Sequence, residues 1–120
     1  MEKWVLVVDD DEDVRQTIVD MLEYRGFRVG AVADGRLALE ALARAEPLPS
    51  LLVLDLEMPV MDGWQLIAEL KSNERLAAIP FVIFSASGCA DERVTSLGAV
   101  QCVPKGGSAH ELLSVVERCA

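Results

Sequence analysis

Carboxylates, a hydroxyl and an ammonium stand at the ends of four apolar runs, and these side-chain types suit metal-assisted phosphoryl chemistry. Asp9 and Asp10 follow Trp4-Val5-Leu6-Val7-Val8, Asp55 follows Leu51-Leu52-Val53-Leu54, Ser85 follows Phe81-Val82-Ile83-Phe84, and Lys105 follows Val100-Gln101-Cys102-Val103-Pro104. Each run reads as a buried strand, which puts each anchor at a strand's carboxyl end. In an open parallel α/β sheet those ends share one edge, where the connecting loops build a ligand crevice. Distant segments therefore converge on one site.

Asp9, Asp10 and Asp55 gathered on that edge repel one another. Two carboxylates about 4 Å apart, at an effective dielectric near ~20, cost on the order of 4 kcal/mol. A cation must sit among them, and there are two candidates, the Lys105 ammonium and a divalent ion. Carboxylates with backbone carbonyls and water suit a hard octahedral ion such as Mg²⁺, whereas zinc calls for His or Cys, which these strand ends lack. The ion could then bridge Asp10, Asp55 and a phosphoryl oxygen. A carboxylate is a competent nucleophile toward phosphorus, and phosphoryl transfer needs mainly positioning and charge neutralisation. Asp55 is the central candidate, with Mg²⁺, Lys105 and the Ser85 hydroxyl each taking one equatorial oxygen.

Apolar spacing supplies the elements that carry these anchors. Val14, Ile18, Met21 and Leu22 recur at helical spacing behind Asp11, Glu12 and Asp13, which favour a helix amino terminus, and Gly26 closes that helix. Phe27–Val32 reads as a second strand. Asp34-Gly35 then turns into a helix bearing Leu39 and Leu42 that Pro47 and Pro49 end. Asp62 caps a third helix with Leu66, Ile67 and Leu70 inward. Ala90–Leu97 forms a short helix on Val94 and Leu97, ended by Gly98, and Ser108 caps a last helix with Leu112, Leu113 and Val116 inward. Strands alternating with helices in this way make a doubly wound parallel sheet, in a single domain over residues 1–120.

Composition narrows the partners. At 120 residues and 52% hydrophobic, the chain can bury roughly two thirds of its unfolded surface. A net charge of -9 with scattered Lys and Arg opposes direct nucleic-acid binding, and no apolar run approaches the ~18 residues of a membrane helix. Cys89, Cys102 and Cys119 form no CxxC pair and leave an odd count, so they read as small apolar residues. Met1 leads into a strand rather than a signal peptide, and a cytoplasmic location is expected. Asp9, Asp11 and Asp13 mimic the start of a calcium loop, but Val14 stands where Gly is needed and Asp20 where the bidentate Glu belongs. His110 reads as a surface residue, Trp4 and Trp64 as packing residues, and Met58 and Met61 as residues that shape a loop.

Taken together, Val7-Val8-Asp9-Asp10, Asp55 followed by Met58-Pro59-Val60-Met61-Asp62-Gly63, Ser85-Ala86, and Gly98-Ala99 leading to Pro104-Lys105-Gly106 resemble the receiver domain of two-component response regulators. The motifs span essentially the whole chain in the family's order. The resemblance implies a flavodoxin-like sheet of strand order 2-1-3-4-5 with helices on both faces. It implies that Asp55 is the phosphoacceptor for a histidine kinase or histidine phosphotransfer protein, and that the domain catalyses its own phosphorylation and dephosphorylation. Mg²⁺ would be held by Asp10, Asp55 and the backbone carbonyl of Glu57, with Asp9 acting through water. Ser85, Lys105 and the Ala86 backbone would bind the phosphoryl oxygens and relay their arrival to the last two strands and helices. From there the signal would pass to a downstream protein target or an output domain.

Glu57 and Ser87, two residues beyond Asp55 and Ser85, flank the approach of attacking water and should set the phosphoryl lifetime. Cys102 stands where many receivers place an aromatic, so readout should run through Ser85 and the following loop with little dependence on residue 102. Two other classes are weaker. A haloacid-dehalogenase-type phosphatase needs a second Asp two residues after its nucleophile, where Glu57-Met58-Pro59 breaks the motif. A phosphorylation-independent interaction module would not need these intact anchors. A flavin or dinucleotide carrier lacks its glycine-rich loop after the first strand.

Overall fold

Runs of Val, Leu, Ile and Phe form strands that helices cover on both faces, the pattern of a parallel sheet. The computed structural model describes residues 3–86, 89, 92–107 and 109–120. Its strands are β1 (Trp4–Val8), β2 (Arg28–Val32), β3 (Leu51–Leu54), β4 (Phe81–Ser85) and β5 (Gln101–Pro104). They form one five-stranded sheet of order 2-1-3-4-5, parallel throughout. Val8 is in register with both Val32 and Leu54, Leu54 with Ile83, and Ser85 with Pro104. This register brings Asp9, Asp55, Ser85 and Lys105 out along one edge.

Side chains alternate between the two faces because a strand has period two. Leu6, Val8, Leu52, Leu54 and Ile83 pack against Ala38, Leu42, Leu66, Ile67, Leu70 and Val94. Val5, Val7, Val53, Val82, Phe84 and Val103 face the other way, onto Ile18, Leu22, Leu112, Leu113 and Val116. Each fully buried leucine contributes about 2 kcal/mol by leaving water, so the sheet that aligns the anchors is the best-secured part of the chain.

The helices are α1 (Glu12–Tyr24), α2 (Gly35–Arg44), α3 (Gly63–Lys71), α4 (Glu92–Thr95) and α5 (Ala109–Cys119). Asp11 caps α1 by accepting from the Asp13 and Val14 amides, and Asp34 caps α2 by accepting from Leu37 at 2.8 Å. Asp62 and Gln65 cap α3 reciprocally, each side chain accepting from the other's backbone N–H, at 2.9 and 3.1 Å. Gly26, at φ 89°, lets the chain leave α1 through the left-handed region. Ser108, the cap expected for α5, lies outside the described residues. Among the described residues no helix is long and apolar enough to cross a membrane.

Some boundaries differ from those read in the sequence. β2 begins at Arg28 rather than Phe27, and β5 at Gln101 rather than Val100. Val100 donates to the Phe81 carbonyl at 2.8 Å, yet its side chain is exposed. α2 ends at Arg44, ahead of both prolines, and α4 stops at Thr95 rather than Leu97, with Val94 its buried residue, while positions 90 and 91 of the expected helix lie outside the described residues. The cysteines require a correction. Cys89 and Cys102 form a disulfide with Cα atoms 5.7 Å apart, and Cys119 is free. The connection from β4 to α4 brings Cys89 to β5, a tertiary proximity that residue spacing does not reveal.

Candidate functional site

Each anchor is fixed by the backbone of its strand end. The Asp9 amide donates to the Val32 carbonyl at 3.2 Å, the Asp55 amide to Val8 at 3.0 Å, and the Lys105 amide to Ser85 at 3.0 Å. Three adjacent strand pairs thus hold the site in register. Arg15, from the first turn of α1, donates through Nη1 to the Asp9 carbonyl at 2.9 Å and ties that helix to the same corner.

The side chains then meet as charge requires. Lys105 Nζ lies 2.8 Å from Asp9 Oδ2 and 3.0 Å from Asp55 Oδ2, bridging two buried carboxylates. The remaining oxygens are also engaged: Asp9 Oδ1 accepts from the Asp11 amide at 2.9 Å and Asp55 Oδ1 from the Glu57 amide at 3.3 Å. Asp10 faces solvent, and one carboxylate oxygen from each of Asp9, Asp10 and Asp55 falls within 4.8 Å of the others. This all-oxygen donor set fits a hard divalent ion such as Mg²⁺. Asp10 offers its carboxylate to solvent, while both oxygens of Asp9 already have partners.

Burial pushes the Asp55 carboxyl above the usual aspartate range, and the nearby Asp9 charge adds to that shift. Lys105 and the Glu57 amide oppose it without cancelling it. Burial alone would pull the Lys105 ammonium down, but its hydrogen bonds to Asp9 and Asp55 and their charges together raise it. The lysine therefore stays charged at neutral pH. Asp55 is a more basic carboxylate than an exposed aspartate, which suits a nucleophile.

Ser85 is fully buried at the end of β4, Ala86 beyond it is exposed, and Glu57 is exposed beside Asp55. Among the described residues the carboxylate partners of Lys105 are Asp9 and Asp55, not Glu57. Ser87 lies outside the described residues. Met58 and Met61 pack against the core below the loop, as do Trp4 and Trp64. The Trp4 indole N–H donates to the Pro47 carbonyl at 2.9 Å, and the Arg93 guanidinium sits 5.1 Å over the Trp64 ring, linking α4 to α3. His110 is exposed in the first turn of α5.

Two features of the β3–α3 loop escape a reading of residue types. Val60 has φ 69° while the Met61 amide donates to the Pro59 carbonyl at 2.8 Å, a three-residue turn with a β-branched residue in the left-handed region. Such strain is tolerated where the flanking structure over-determines it, and here the Asp62 cap and the Gly63 amide, 2.9 Å from the Leu56 carbonyl, do so. Gly63 also leaves no room for a side chain. A Cβ there would lie 2.3 Å from the Asp55 carbonyl oxygen and 2.7 Å from Leu56 Cα.

Comparison with known proteins agrees with this geometry. The family model for the response regulator receiver domain matches residues 5–117, and the chain belongs to that family of two-component signalling domains. It is 35% identical over 115 residues to the transcriptional regulatory protein GltR of Pseudomonas aeruginosa, a match covering 94% of this chain and 47% of the relative. The chain thus spans about half the length of the curated relatives it matches. A response regulator receiver protein from Pseudomonas putida superposes with a TM-score of 0.89 at 28% identity, covering 98% of both chains. The response regulator TrrA of Thermotoga maritima, solved in complex with Mg(2+)-BeF, shares the fold with a TM-score of 0.85 at 24% identity, covering 98% of this chain and 99% of that one. The flavodoxin-like architecture expected from the motifs is the one observed.

Proposed function

We propose that residues 1–120 act as one receiver unit in which Asp55 accepts a phosphoryl group from a histidine kinase or histidine phosphotransfer protein. The observation that carries this is the Lys105 ammonium held between the buried carboxylates of Asp9 and Asp55. In transfer, an Asp55 carboxylate oxygen bonds to phosphorus as the phosphorus–nitrogen bond of the donor phosphohistidine breaks, and the freed imidazole nitrogen takes up a proton. Lys105 exchanges its contact with Asp55 Oδ2 for a phosphoryl oxygen and keeps Asp9. Ser85 and the Ala86 amide bind the other oxygens. Asp10, Asp55 and the Glu57 carbonyl, with Asp9 through water, would hold Mg²⁺, which would supply the remaining charge neutralisation.

The domain performs this transfer itself, so acetyl phosphate serves as donor in place of a partner protein. Incubating the protein with acetyl phosphate and Mg²⁺ should add the mass of one phosphoryl group, and a chelator should suppress the addition. Equal modification with and without Mg²⁺ would contradict the metal's place in the site. A cytoplasmic location follows from the proposed partners, and the signal passes to a downstream protein or an output domain.

Asp10→Ala tests the metal assignment. Removing the solvent-facing carboxylate should weaken Mg²⁺ binding about tenfold or more, read by titrating Mg²⁺ against tryptophan fluorescence or amide shifts. Unchanged affinity would remove Asp10 from the ion's coordination.

Glu57→Ala tests the lifetime. The exposed Glu57 side chain places negative charge beside a dianion on the path of attacking water, so its loss should change the dephosphorylation rate about threefold or more in either direction. The decay of the phosphoprotein, followed by mass, measures this directly. A decay equal to wild type would move control of water access elsewhere.

A further inference from the structure

Ser85 and Lys105, the two residues proposed to grip the phosphoryl group from opposite sides, are each only a few residues from a disulfide half. Cys89 follows Ser85 by four residues, and Cys102 precedes Lys105 by three. Their Cα atoms are 5.7 Å apart, within the range a disulfide spans without backbone movement. The bond closes a ring over residues 89–102 that contains all of α4.

Among the described residues of that ring, few side chains are buried. Val94 is the one fully buried side chain described within α4, and Leu97 and Ala99 are only partly buried. Beyond them, Val100 is held through its amide to the Phe81 carbonyl at 2.8 Å, and Arg93 through its place over Trp64. A segment with so few buried contacts opens more readily than the sheet beneath it. A covalent tie from its start to β5 is therefore a large part of what positions it. Ser85 is held by the β4–β5 ladder, and Cys89, four residues on, is held by sulfur.

Cysteine exposure decides whether such a bond is permanent. Both Cys89 and Cys102 are half-buried rather than sealed in the core, so a thiol can reach them, and in a reducing compartment accessible disulfides are usually transient. We infer that Cys89 and Cys102 form a reversible disulfide that couples the surrounding thiol pool to the phosphorylation response of the β4–α4 surface; this rests on the phosphoacceptor role of Asp55.

The chemistry balances with a low-molecular-weight disulfide as oxidant. One cysteine thiolate attacks it, forming a mixed disulfide and expelling one thiol. The second cysteine thiolate displaces the other, so two protein thiols are oxidised as the small disulfide is reduced to two thiols. With the bond closed, Cys89, four residues beyond Ser85, is tied to β5. Reduction releases that tie, so that Ser85 and α4 respond to the phosphoryl group without it. Residue 102 then matters to readout, contrary to the expectation from its lack of an aromatic ring.

The test equilibrates the whole chain in glutathione buffers of graded ratio, alkylates free thiols, maps the disulfide by peptide mass, and measures phosphorylation by acetyl phosphate with Mg²⁺ in each buffer. A Cys89–Cys102 peptide should appear as the ratio turns oxidising, with Cys119 alkylated throughout, and the oxidised form should be phosphorylated about fivefold or more slowly. Cys89→Ser and Cys102→Ser should both react at the rate of the reduced wild type at every ratio, while Cys119→Ser keeps the redox response. Failure to find the linked peptide at any ratio overturns the bond. Equal rates in linked and reduced protein overturn the coupling. Absence of phosphorylation in both forms overturns the role of Asp55 and the coupling that depends on it, while the peptide map still decides the bond.

Discussion

Asp55→Asn is expected to lower phosphorylation by acetyl phosphate by about a thousandfold or more, because the change removes the nucleophile and little else. Asparagine matches aspartate in shape, and the Asp55 amide keeps its hydrogen bond to the Val8 carbonyl in the β1–β3 ladder. Lys105 retains Asp9 at 2.8 Å as a partner, so no buried charge is stranded. What is lost is a basic oxygen: a neutral carboxamide carries no charge to attack phosphorus, and its oxygen is a poorer ligand for a hard cation. Circular dichroism should be unchanged while intact mass shows no phosphoryl adduct. An adduct persisting at the wild-type rate would place the acceptor on Asp9 or Asp10.

Gly63→Ala should be the most damaging single-methyl change at the site. On helix propensity alone, alanine at the start of α3 would be favoured by up to ~1 kcal/mol. Sterically the opposite holds. The new Cβ would meet the Asp55 carbonyl oxygen at 2.3 Å and Leu56 Cα at 2.7 Å, both backbone atoms that cannot rotate away. Relief requires α3 or the Asp55 peptide to shift by roughly 1 Å, which overpacking data put at about 3 kcal/mol. The melting temperature should fall by ~10 °C, and phosphorylation should slow because the displaced peptide carries the acceptor. Gly106→Ala is the control, since a Cβ there meets nothing within 4 Å. A Gly63→Ala protein as stable as wild type would mean that α3 is not held against the Asp55 backbone.

The strand ends were legible because burial and chemistry coincide in them. An uninterrupted apolar run can lie only inside a covered parallel sheet, so the polar residue that ends it must emerge at the sheet's edge. Asp9, Asp55, Ser85 and Lys105 follow from that rule, and mutual repulsion of the carboxylates calls for the lysine between them. The helix cap was legible at Asp62 because a short polar side chain before an apolar stripe has a local purpose, whereas Asp34 was read as a turn and caps α2. The remaining features depend on approach between segments. Val60 carries no glycine or asparagine signal for its positive φ, and the tightness around Gly63 is set by where α3 meets β3. The Cys89–Cys102 pair was hidden for the same reason, since spacing along the chain says nothing of a loop returning to a strand. α4 has the shortest apolar stripe of the helices read from the sequence, and among its described residues Val94 is the buried one.

The most direct test of the site is to locate the phosphoryl group itself. Protein phosphorylated by acetyl phosphate with Mg²⁺ can be reduced by borohydride, which cleaves an acyl phosphate and converts the modified aspartate to homoserine, and the position is then read by peptide sequencing in the mass spectrometer. Homoserine at position 55, with Asp9 and Asp10 intact, is the result the Lys105-bridged geometry predicts. Homoserine at position 9 or 10, or a phosphoryl group on Ser85 that survives borohydride, would contradict it.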